Sequence, residues 1–235
     1  MMSRKWSLLL AAAMVVGAAG VAHADLLFDF EGSTQQWFRF GGGTLDFGLA
    51  SGQGTHGAGP DAISYVTNLD ETLFGGAVRS GNQSTWATAP GFAWAPGVSS
   101  MADYTAFKAD VQLSVDGLSP VYPGPGPNVE LMLSLPGYME YATSVSIPAD
   151  GSYHTISSGF ANLTPQNAAT LPITAAQLAD PNLQIRVVLR NLNRDPGAPS
   201  GKIRLRVDNV QAVPEPTSLA LLALGGLAAL RRRRA

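Results

Sequence analysis

Three carboxylates single themselves out by position: Asp29 and Glu31 in "LLFDFEGSTQQW", and Asp208 in "RLRVDNVQAV". Converging carboxylates repel one another unless a cation sits among them, and hard oxygen ligands select Ca²⁺. If the first and last strands are neighbours, as is common in sandwiches, Asp29, Glu31 and Asp208 form a candidate structural calcium site. A second constellation is aromatic. Trp86, Phe92 and Trp94 fall within the Gly-, Ala- and Ser-rich stretch Gly75–Gly97, and "PGYMEY" adds Tyr138 and Tyr141. Flat aromatic faces stack on the C–H faces of sugar rings, which makes a glycan platform one reading. The other is that these rings fold inward and cap the core.

Catalytic signatures are poor. After the leader there are two histidines, His56 in a Gly-rich loop and His154 at a strand start. The chain has neither G-x-S-x-G nor H-E-x-x-H, and no cysteine, which excludes a catalytic thiol and disulfide staples. The expectation is therefore a non-catalytic protein. A secreted glycoside hydrolase stays as an alternative, because its paired carboxylates converge only in space.

The net charge of −2 averages unlike regions. Of 17 acidic residues all but Glu215 fall in Asp25–Val213, leaving 16; of 15 basic ones Arg4, Lys5 and Arg231–Arg234 fall outside it, leaving 9. The body is thus near −7, which argues against nucleic acid as a partner. Six of the nine body basics (Arg186, Arg190, Arg194, Lys202, Arg204, Arg206) sit in what reads as a final hairpin. A basic stripe there is either solvated or a seat for an anionic polysaccharide.

The elements that must position these groups read as strands. "FKADVQLSVD" places Phe107, Ala109, Val111, Leu113 and Val115 on one face and polar residues on the other, the period-two mark of a half-buried strand. "NVELMLSL", "YATSVSI", "LQIRVVLRNL" and "KIRLRV" follow the same rule. Shorter candidates are "LLFDF", "QWFRF", "TLDFGL", "AISYV" and "YHTIS". Gly41–Pro60 and Gly75–Gly97 read as long surface loops. "ITAAQLAD" alone looks helical, with Thr174 as its N-cap. Near the end, Ile203, Leu205 and Val207 keep one parity while Val210 and Ala212 keep the other, so a bulge is expected at Asp208-Asn209. About ten strands predict an all-β fold, an antiparallel β-sandwich of jelly-roll type over residues 25–212. "FDFEG…W" and "VDNV" also resemble the opening and closing strands of jelly-roll carbohydrate-binding modules, a resemblance that implies a structural calcium near both termini.

The two ends concern delivery. "MMSRKW", "SLLLAAAMVVGAAG" and "AHA" make the basic, apolar and small-x-small parts of a signal peptide over residues 1–24. At the other end, residues 217–230 are apolar apart from Thr217 and Ser218; as a helix they cover about two-thirds of a ~30 Å hydrocarbon core. Arg231, Arg232, Arg233 and Arg234 would hold that short transmembrane helix with its basic end in the cytoplasm. Together with Val213, Pro214, Glu215 and Pro216, this tail (213–235) closely resembles the PEP-CTERM sorting signal. The resemblance implies export, a transient stay in the inner membrane of a Gram-negative bacterium, and processing by an exosortase near Pro-Glu-Pro. It also implies a final place at the cell surface or outside, in company with exopolysaccharide and biofilm systems.

The sequence thus predicts an exported protein that binds or organises extracellular polysaccharide, the rival being a purely structural matrix protein with a stabilising calcium. One outcome follows from the ends alone. The extracellular form starts at Asp25 and lacks Arg231–Arg234, which an intact-mass measurement on secreted material checks.

Overall fold

The computed structural model describes residues 24–33, 35, 37–40, 44–55, 61–69, 85–88, 98, 100–116, 128–137, 139–190 and 201–214. The leader and the tail from 215 onward lie outside the described residues. Two antiparallel sheets form the fold. The first carries β3 (Thr44–Ala50), β4 (Ala62–Leu69), β12 (Gly201–Pro214), β6 (Tyr104–Asp116) and β9 (Asp150–Gly159) in that order, with β1 (Asp25–Phe28) also paired to β12. The second runs β10 (Thr164–Asn167), β8 (Met139–Ser146), β7 (Asn128–Leu135), β11 (Gln184–Arg190), β5 (Thr85–Thr88) and β2 (Phe38–Phe40). The chain passes repeatedly between sheets, as in a jelly roll.

Alternation decides which side of each strand is buried. Phe107, Val111 and Leu113 of β6, Leu131 and Leu133 of β7, Ile185 and Val187 of β11, and Ile203 and Leu205 of β12 all enter one core between the sheets. Each such aliphatic side chain contributes on the order of 2 kcal/mol by leaving water. The opening segment is pinned by three rings. Phe28 and Phe30 stack at 5.9 Å, and Trp37 meets both edge-on at 5.2 and 5.3 Å. Phe30 holds φ at 57°, a left-handed conformation that costs a bulky residue energy. Its fully buried ring, and the bond from its amide to Gln35 Oε1 at 3.1 Å, keep it there.

The expected bulge is present. Along β6 the register shifts between Asp208 and Gln211, and Asn209 takes φ 49°. It marks a change of neighbour: β4 pairs with Gly201–Val207, whereas β1 pairs with Val210–Ala212. In the gap, the fully buried Asp208 receives the β3–β4 loop. Its Oδ2 accepts the Thr55 amide at 2.7 Å and the Thr55 hydroxyl at 2.9 Å, and its Oδ1 accepts the Asn209 amide at 2.7 Å. Burial pushes this carboxyl up from the usual value, against the downward pull of those donors. Asn209 in turn donates to Asp110 Oδ2 at 2.8 Å.

Two sequence expectations need correction. β11 and β12 are not a hairpin, for they belong to different sheets. Residues Thr85–Thr88, expected in a loop, form β5 and are paired on both sides, whereas the strand candidate "TLDFGL" is β3 as expected. The helical stretch is as expected: α1 (Ala175–Leu178) begins at Thr174, whose hydroxyl accepts the Gln177 amide in a capping box.

Because Asp208 closes the gap between two edge partners, its removal strands buried donors. Asp208→Ala should cost about 3 kcal/mol, and Thr55→Val about 1 kcal/mol. Urea unfolding in the presence of EDTA measures both.

Candidate functional site

The outer face of the second sheet carries a polar network over a small apolar patch. Met132 of β7, Ala142 of β8 and Val188 of β11 form that patch, each at most 3% exposed. They point away from the main core because each sits one step out of phase with core residues such as Leu131, Tyr141 and Val187. From β11, Arg186 reaches across β7 to β8, where its Nη1 donates to Glu140 Oε1 at 2.7 Å. Its Nη2 donates to Gln184 Oε1 at 3.0 Å. Glu140 Oε2 accepts Asn167 Nδ2 at 2.6 Å, tying in β10.

Burial pulls the Arg186 guanidinium below its ordinary value, and the Glu140 carboxylate opposes this. The pair is a charge-assisted bond held in reduced solvent. Chemically, the network offers guanidinium and amide donors beside carboxylate acceptors on one flat surface. Such a set matches the alternating donor–acceptor hydroxyls of a sugar.

Register extends this face toward the aromatic positions. Thr88 stands opposite Arg186, and Trp86 opposite Val188, with Phe38 and Phe40 next in the same rows. Trp86 is therefore a strand residue between β11 and β2, not a loop residue. Phe92, Trp94 and Tyr138, the other expected platform residues, lie outside the described residues. Tyr141 is not part of a platform. It is fully buried, its hydroxyl donating to the Thr170 carbonyl at 2.9 Å and accepting from Gln177 Nε2 at 3.1 Å.

The expected calcium ligands are not gathered. Asp29 Oδ1 accepts Gln35 Nε2 at 2.6 Å and the Glu31 amide at 3.2 Å. Glu31 Oε1 accepts the Asp61 amide at 3.1 Å, while Asp61 accepts the amides of Gly32 and Gly52, each at 3.1 Å. Asp208 is committed to Thr55 and Asn209, as above. The neighbourhood of β1 and β12 is as expected, but the acids satisfy backbone donors of three adjoining turns. Among the described residues, no group of three or more His, Asp or Glu side chains could hold a metal ion. Both oxygens of Asp208, and one each of Asp29 and Glu31, accept N–H or O–H donors rather than facing one another.

The basic stripe is split as well. Lys202, Arg204 and Arg206 lie on the outer side of β12, with Arg206 bonded to Gln112. Arg186 and Arg190 belong to β11 in the opposite sheet, and Arg194 lies outside the described residues. His154, on β9, stands 3.3 Å from Asp150 at the surface, and His56 lies outside the described residues. The Gln184–Arg186–Glu140–Asn167 network escaped the sequence reading. Its only signal was polar residues at outward positions of strands whose remaining residues are apolar.

None of the curated proteins matches the chain. Among solved structures, it is similar to the family 11 carbohydrate-binding module of the cellulosomal cellulase Lic26A-Cel5E of Clostridium thermocellum, at 13% identity, 83% of this chain, 96% of that chain and a TM-score of 0.46. The solution structure of CtCBM11 gives 16%, 83%, 98% and 0.47. The mannan-recognising carbohydrate-binding module TmCBM27 gives 14%, 83%, 99% and 0.38. At the end of the chain a family is matched directly: residues 212–234 carry the PEP-CTERM protein-sorting motif, the address of an exported protein.

Proposed function

We propose that this is an exported surface or biofilm-matrix protein whose sandwich binds extracellular polysaccharide on the outer face of its second sheet. Delivery in this reading runs through the secretion machinery, a stay in the inner membrane through residues 217–230, and cutting by an exosortase near Pro214–Pro216. The supporting observation is the Gln184–Arg186–Glu140–Asn167 network, whose Arg186 lies two positions along β11 from Val188, the register partner of Trp86. Guanidinium and carboxylate groups bond sugar hydroxyls, and an indole stacks on a sugar-ring face. A few such contacts give micromolar-to-millimolar affinity, so retention relies on many copies on one polymer.

The rival reading, a purely structural matrix protein, has its own support. The side chains of Arg186 and Glu140 are only 16% and 14% exposed, as in an ion pair that merely braces a sheet. Affinity electrophoresis against β-glucans, mannan and an anionic exopolysaccharide separates the two. The proposal expects retardation by at least one polymer. Trp86→Ala and Arg186→Gln, checked for unchanged unfolding, should each weaken it at least tenfold, or about 1.4 kcal/mol. A protein that passes every gel unretarded belongs to the structural reading, and cleavage of a polymer would make it a hydrolase. For the tail, a Pro214→Ala, Pro216→Ala double variant should stay in the membrane fraction at full mass.

A further inference from the structure

The end of the sandwich from which β12 departs is apolar. A pocket of about 650 Å³ opens there, lined by Tyr104, Phe160, Leu171, Pro172, Ile173 and Leu178 among others. Its floor continues the core, since Phe160 and Leu178 belong to it. Leu171 on its rim is 52% exposed. Among the described residues only one other large apolar side chain is so exposed, Leu26 at 45%. Leu26 pairs with Gln211, three positions before Pro214, so both lie toward one end of the molecule. Single exposed apolar residues need no explanation, but an apolar pocket with an exposed leucine on its rim does.

The chain itself indicates what faces this end. Pro214 is the last residue of β12 and stands opposite Tyr104 of the pocket wall. The Thr105 hydroxyl donates to the Val213 carbonyl at 3.3 Å, fastening the strand there. Only Glu215 and Pro216 separate Pro214 from Thr217, the first residue of the stretch read as membrane-inserted. Three Cα steps span at most about 10 Å. The headgroup layer on one side of a bilayer takes up roughly 5–8 Å of that. With residues 217–230 in the hydrocarbon, no slack remains for the sandwich to stand clear of the membrane.

We infer that this end of the sandwich, Leu26, Tyr104, Leu171 and Ile173, is a lipid-facing surface that rests in the headgroup–acyl boundary while the tail is inserted. The inference rests on the reading that the tail enters the membrane. Tyr104 suits the boundary, with an apolar ring and a hydroxyl that donates to Asp25 Oδ2 at 2.7 Å. Asp25 and Asp103 beside it disfavour an anionic surface, so the contact is with zwitterionic lipid and is apolar in origin.

The chain has no cysteine, so one introduced thiol takes one label. Full-length Leu171→Cys and Lys202→Cys are each labelled with an environment-sensitive fluorophore and reconstituted into phosphatidylcholine vesicles carrying a shallow nitroxide quencher. Lys202 lies twelve strand positions from Pro214, about 40 Å away. Flotation of the vesicles first reports whether the tail inserts. The expected result is co-flotation with at least about twofold quenching at position 171, consistent with burial of about 5–10 Å, and none at 202. Co-flotation with neither site quenched overturns the lipid-facing surface and leaves the tail reading intact. A blue-shifted but unquenched label at 171 also overturns it, since protein rather than lipid then fills the pocket. Failure to float overturns the tail reading and this inference with it.

Discussion

β12 is the strand on which the arrangement depends. β6 lies along one of its edges from Lys202 to Pro214, and two different strands share the other. Along that shared edge β12 changes phase where its partner changes from β4 to β1. The bulge at Asp208–Asn209 supplies that change. The residues on either side, Val207 and Val210, are both buried although they are an odd number apart. The cost is a break in the ladder inside the sheet. A buried carboxylate fills it by accepting the donors of the β3–β4 loop. The acid there acts as a clamp between turns, which is why it is not free to serve as an ordinary ligand.

The two outer faces then diverge in character. On the first sheet, Lys202, Arg204 and Arg206 stand opposite Asp116, Ser114 and Gln112 in register, and the β3–β4 loop is held through Asp208 and through the Tyr153 hydroxyl on the Gln53 carbonyl. On the second sheet, Arg186 is drawn across β7 by Glu140 over Met132, Ala142 and Val188. A charge pair above an apolar patch is stronger than one in open water, because fewer solvent dipoles screen it. It also fixes the donor directions in advance, so a bound sugar would meet groups already oriented. The first face therefore binds a loop to its sheet, and the second ties β8, β10 and β11 together through one charge pair.

How far the sequence disclosed this depends on the range of the interaction. Period-two alternation located β6, β7, β8 and β12, since burial of alternate residues is a property of each strand alone. The phase slip located the bulge for the same reason, and Thr174 with Gln177 located the helix start. β5 was hidden because Thr85–Thr88 is short and lies among Gly, Ala and Pro, where no local pattern outweighs the loop reading. The supposed hairpin of β11 and β12 failed because parity says which face a residue takes but not which sheet its strand joins. Arg186 and Glu140 are 46 positions apart, and their bond exists only through the β8–β7–β11 order. Asp29, Glu31 and Asp208 were rightly read as near the junction of β1 and β12. What the sequence could not show is that backbone amides of neighbouring turns would claim their oxygens first.

The junction of body and tail has a mechanical consequence. Val213 and Pro214, the first residues of the sorting motif, still pair with Ala106 and Tyr104. Proline lacks an amide donor, so it is tolerated at a strand end and poorly within one. Pro214 thus ends the ladder at the point where the address begins. A cut after Pro214 leaves every rung of β12 in place. A cut before Val213 would remove the carbonyl that Thr105 holds and shorten the strand beside the pocket. The same strand carries Asp208, which ties the β3–β4 loop to β12 through Thr55. The last rung of β12 is thus also the boundary between body and sorting motif.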